Sequence, residues 1–121
     1  MDDFALTSAE RALLTALNQR GVRYLVIGLG AAVLQGAPVS TQDLDLWFER
    51  LGDEAVHQAA RDGLDDFASE YLRAIEHTVD GIVIKVLPLE RIIASKRSAN
   101  RPKDIAALPA LEATLRARDA S

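Results

Sequence analysis

The chain has no cysteine, so it can form neither a disulfide nor a thiolate metal site. Histidine is nearly as scarce. His57 and His77 are too few and too isolated for a zinc centre. No apolar run approaches the roughly 18 residues of a membrane span. A basic leader is missing as well: Met1-Asp2-Asp3 is acidic and runs into a helix-like pattern, the opposite of a signal peptide. The expected setting is a reducing cytoplasm. Aromatic residues make up only 5% and are not interleaved with basic ones, which leaves DNA binding without support. There is no repeat, low-complexity tract or linker, so residues 1–121 read as a single domain with one core.

What is present is an ordinary globular mixture, 49% hydrophobic and 26% charged, with an uneven distribution of charge. Residues 1–80 carry a net charge of -8 and residues 81–121 a net charge of +4. Such halves are either two solvated faces of unlike sign or one wall for a metal and another for phosphate.

Local signals order the chain into alternating elements. Thr7-Ser8-Ala9-Glu10 reads as a capping box that opens a helix with Leu13, Leu14 and Leu17 on one face and a stop near Gly21. Arg23 to Ile27 is a short strand ending at Gly28. Leu29 to Gln35 suits a short helix closed by Gly36, with a turn around Pro38. Asp43 to Phe48 alternates as a half-buried strand, and Asp53 opens a helix to about Arg61. An irregular acidic stretch follows. Asp80-Gly81 then joins two β-rich runs, Ala74 to Val79 and Ile82 to Leu87, as a hairpin. Leu89 to Ala99 and about Lys103 to Arg116 read as the last helices, separated at Asn100-Arg101-Pro102. The expected class is α/β or α+β, with a mixed, largely antiparallel sheet flanked by helices.

The chemistry concentrates on Asp43 and Asp45. Alternation along a strand projects both from one face, with Trp47, while Leu44, Leu46 and Phe48 fill the other. Two carboxylates about 7 Å apart repel each other in a partly dry site unless a cation lies between them. That geometry suits Mg2+, with Mn2+ as an alternative, completed by water and substrate phosphates. The spacing alone is also what surface strand residues show, and charges on an edge strand discourage aggregation.

The segment from Tyr24-Leu25-Val26-Ile27-Gly28-Leu29-Gly30 through Thr41-Gln42-Asp43-Leu44-Asp45-Leu46-Trp47 resembles the core of the minimal nucleotidyltransferases, which include toxin–antitoxin members. Downstream, Leu89 to Asp104 looks like the helix–turn–helix in which related proteins place a phosphate-contacting lysine followed by Arg and Lys-Asp. Together these stretches cover about a third of the chain. The resemblance implies a nucleotidyltransferase-like fold. It further implies transfer of a nucleotidyl group from a nucleoside triphosphate such as ATP to a hydroxyl. In that reading Gly28, Leu29, Gly30 and Thr41 lie along the triphosphate. Asp43 and Asp45 hold the metal, and Lys96 and Arg101 contact phosphate. A protein partner encoded nearby also follows from it; nucleic acid is expected only as an RNA acceptor.

Three departures stand against the pattern. Leu29 replaces the second small residue at the strand end, and Val39 stands where many relatives have arginine. A third carboxylate, on a strand that would follow Arg61, is missing. Either the fold is reduced and serves as a catalytically inactive binding module, or a segment is absent near Asp62-Gly63; the intact flanks favour the second. Asp65, Asp66 and Asp80 are poor substitutes. A dinucleotide fingerprint over Gly28-Leu29-Gly30-Ala31-Ala32-Val33, with Glu49 beyond, lacks its third glycine at Val33 and an apolar following strand.

Overall fold

The computed structural model describes residues 6–39, 41, 44–50 and 61–120. Asp43, His57 and almost all of the helix expected over 53–61 lie outside the described residues.

The capping box forms at the start of α1 (Ser8–Gln19): Glu10 N donates to Thr7 Oγ1 at 3.0 Å and Thr7 N to Glu10 Oε1 at 2.9 Å. Of the leucines expected on its inner face, Leu14 is fully buried and Leu17 half-buried, while Leu13 points outward. The chain reverses at Gly21 into β1 (Tyr24–Ile27), which is buried throughout, and passes directly into α2 (Gly28–Leu34). Beyond β2 (Asp45–Phe48), within the stretch expected to be irregular, the chain forms the helix α3 (Phe67–Arg73). Asp66 caps it by accepting from Ser69 N at 3.0 Å. The hairpin β3 (Ile75–Val79) and β4 (Ile82–Val86) turns at Asp80 and Gly81, both at positive φ, as a type I′ turn requires. Two helices finish the chain, α4 (Leu89–Ala99) and α5 (Pro102–Asp119). The latter starts one residue earlier and runs three further than expected, with Pro109 in its interior.

The strands order as β2–β1–β4–β3 in one mixed sheet. β1 runs antiparallel to β2 and parallel to β4, and β3 is antiparallel to β4. The fold is therefore α+β with a largely antiparallel sheet. Register fixes the two faces: Leu25 opposes Trp47 and Ile27 opposes Asp45 on one, Tyr24 opposes Phe48 and Val26 opposes Leu46 on the other. On the first face Trp47 is buried edge-to-face against Phe67 of α3, with ring centroids 5.5 Å apart. Trp47 is thus a packing residue. Val26, Ile27, Ile84, Val86, Ile92 and Leu111 belong to a single core joining the sheet to α4 and α5. Among the described residues, no helix is long and apolar enough to cross a membrane.

Candidate functional site

The end of β1 is where a backbone constraint and a carboxylate meet. Ile27 pairs with Asp45, so the Asp45 side chain lies alongside the first residue beyond the strand, Gly28. Gly28 has φ +71°, and a Cβ added there would sit 2.6 Å from Asp45 Oδ2. Glycine is required twice, by the left-handed backbone and by the carboxylate pressed against it. Asp45 is half-buried and forms no hydrogen bond or ion pair with the described residues. A half-buried carboxylate without a donor among the described residues is able to take a cation, and a hard oxygen-liganded cation fits this donor chemistry.

Other expected contacts along this segment are placed differently. Gly30 is buried inside α2, and Leu29 is half-buried and packed on the core, so α2 turns its small residues toward the protein. Thr41 is half-buried on the approach to β2. Asp43, the proposed partner of Asp45, lies outside the described residues.

The basic candidates meet each other around one acid. Lys96 Nζ, itself buried, donates to Asp104 Oδ1 at 3.2 Å. Arg101 grips the same carboxylate with Nε on Oδ2 at 2.7 Å and Nη2 on Oδ1 at 3.0 Å. Asp104 has no solvent exposure on its side chain. Its pKa is lowered to about 2, chiefly by the Arg101 hydrogen bonds, which with Lys96 outweigh the opposing effect of burial. The same carboxylate accepts from Arg101 N at 3.2 Å, at the start of α5, with Pro102 in the first turn. Lys96 and Arg101, expected to contact phosphate, thus converge on one carboxylate in the structure. Each already holds a buried anion, and a phosphate would have to compete with it. The signal was legible: Arg101-Pro102-Lys103-Asp104 spaces a helix start, an N1 proline and an acid three residues on.

The acidic residues weighed as a third carboxylate are likewise occupied. Asp65 pairs with Arg73 at 2.8 Å, Asp66 caps α3, and Asp80 sits in the hairpin turn near Arg11 at 3.5 Å. Asp62 and Gly63 form the middle of a turn closed by Leu64 N donating to Arg61 O at 3.0 Å. Sequence reasoning missed Glu70, whose side chain is fully buried. Burial pushes its pKa upward, but bonds from Arg91 (Nε to Oε1 at 3.0 Å, Nη2 to Oε2 at 2.6 Å) and from Asp65 N leave it below the usual value. Among the described residues, no three His, Asp or Glu side chains gather as a metal cluster.

Gln35, at the end of α2, ties the site to the rest of the fold. Its amide nitrogen donates to Ala31 O at 3.0 Å and Leu87 O at 2.9 Å, and its oxygen accepts from Leu89 N at 3.0 Å. Both polar atoms are used, which locks α2 to the start of α4. Two open recesses lie at the other end of β1, around Arg23, away from Gly28 and Asp45. No family model, curated protein or solved structure matches the chain.

Proposed function

We propose that this chain is a nucleotidyltransferase-fold protein of the cytoplasm that binds a magnesium–nucleoside triphosphate where β1 ends. The observation that carries the reading is the half-buried Asp45 carboxylate, without a donor among the described residues, seated against Gly28. Asp45 and Asp43 would hold the metal, whose chemistry is to neutralise charge on the transferring phosphate. The reaction is attack of an acceptor hydroxyl on the α-phosphorus. The bond to the bridging oxygen breaks, pyrophosphate leaves, and the hydroxyl proton is lost to solvent or a base.

Isothermal titration with Mg2+–ATP tests this. The native chain should give saturable, magnesium-dependent heat that disappears in Asp43→Ala/Asp45→Ala while the far-UV circular dichroism stays unchanged. Equal binding by the double variant would refute the assignment.

A second reading, a catalytically inactive module of the same fold acting through a protein partner, is favoured by one observation. Lys96 and Arg101 already share Asp104. A module of this kind takes up no Mg2+–triphosphate in the same titration.

A further inference from the structure

At Arg23, just before β1 and five residues, so about 16 Å at the rise of a strand, from Gly28, the surface carries chemistry of the opposite sign. A groove of about 770 Å³ opens there, with Arg20, Arg23 and Arg50 converging on it from the end of α1, the start of β1 and the end of β2. Val22 and Phe48 supply apolar wall, and among the described residues Glu49 is its one carboxylate. Glu49 is already taken by Arg23, at 3.3 Å. Arg20 and Arg50 form no ion pair with the described residues. An adjoining recess of about 440 Å³ shares Gly21, Val22 and Arg23 and adds Lys85 and Tyr71. Both of those cations lie over the Tyr71 ring, at 5.5 and 5.4 Å from its centroid.

Guanidinium groups stay charged at any physiological pH, and Glu49 offsets only one of the three around this partly apolar groove. Their planar forks match the oxygens of a phosphate or a carboxylate. The groove falls in the size range of small-molecule sites, roughly 300–1,000 Å³. In a chain of net charge -4, this is a local surplus of positive charge remote from the proposed metal site. We propose that this groove binds an oxyanion, phosphate or carboxylate, carried on a compact apolar or aromatic body, with Arg20 and Arg50 as its principal contacts. The inference does not depend on nucleotidyl transfer.

The test is an 1H–15N correlation titration with phenyl phosphate, benzoate and the neutral benzyl alcohol. At least one anion should shift the amides of Gly21, Val22, Arg23 and Phe48 saturably, and the tighter of the two identifies the preferred oxyanion. Arg20→Ala/Arg50→Ala should weaken that binding about tenfold or more, as loss of charge-assisted bonds implies, whereas Arg116→Ala on α5 should leave it unchanged. Saturation by neither anion, equal binding of benzyl alcohol, or unaltered affinity in the double arginine variant would each overturn the proposal. Asp45→Asn should preserve anion binding whatever it does to Mg2+–ATP, which separates this site from the one at Gly28. Loss of anion binding in Asp45→Asn would also overturn it.

Discussion

Gly28 and Asp45 constrain each other more tightly than either constrains the rest of the chain. Alanine at position 28 would meet a left-handed backbone, which costs an L-residue roughly 1–2 kcal/mol, and would collide with the Asp45 carboxylate as well. Gly28→Ala is therefore expected to lower unfolding free energy by about 2 kcal/mol or more in urea melts. Asp45→Ala should relieve part of that cost, so the double variant loses less than the two single losses added. Strict additivity would mean the two do not touch. A different residue-scale prediction concerns Asp104. Its folded pKa of about 2 lies below its ordinary value, so its contribution to stability is present above pH 4 and fades as pH falls toward 2. The shift corresponds to about 2 kcal/mol. Asp104→Asn should flatten that part of the stability–pH curve. It should also destabilise the chain near neutrality by about 3 kcal/mol or more, because Lys96 is left buried without its anion.

At the scale of elements, the parts legible in the sequence are those whose signal is local. The Thr7–Glu10 box, the Asp80-Gly81 turn and the apolar face of α4 each follow from a few neighbouring residues, and all three stand in the structure. α3 was not legible. Seven residues are too few for a helical period, and beyond the local Asp66 cap its stability comes from the Trp47–Phe67 contact and the Glu70–Arg91 pair, whose partners are remote in sequence. Gln35 was passed over for the same reason. Its bonds to Leu87 and Leu89 span more than fifty positions. Gln35→Ala orphans the Leu89 amide and the Leu87 carbonyl together and should cost about 1–3 kcal/mol. The denaturant midpoint checks it. A change within a few tenths of a kcal/mol would show that water replaces the side chain freely.

Across the whole molecule, most ion pairs among the described residues form within one part of the chain, and a few cross between the acidic and the basic part. Among the described residues, two cations of the C-terminal part hold acids of the N-terminal part: Arg91 holds Glu70 and Lys85 holds Glu76. Others pair within the antiparallel α4–α5 unit, as Arg97 does Glu112 and Arg118 does Glu90. Composition reported the surplus of each sign but could not report its partners, since these are set by sheet order and helix packing. The same limit applies to the candidate site. Gly28 beside Asp45 was legible, because strand alternation and a strand-ending glycine are local patterns. The hold of Asp104 on Arg101, three residues away, was legible too, whereas its hold on Lys96 depended on how α4 meets α5. The proposed function requires a divalent cation to settle at the end of β1. Substituting Mn2+ for Mg2+ in the presence of a non-hydrolysable ATP analogue, and recording paramagnetic broadening of amide resonances, measures this most directly. Broadening should be strongest at Gly28, Leu29 and Asp45 and should vanish in Asp45→Asn; broadening centred elsewhere, or unchanged in that variant, would contradict it.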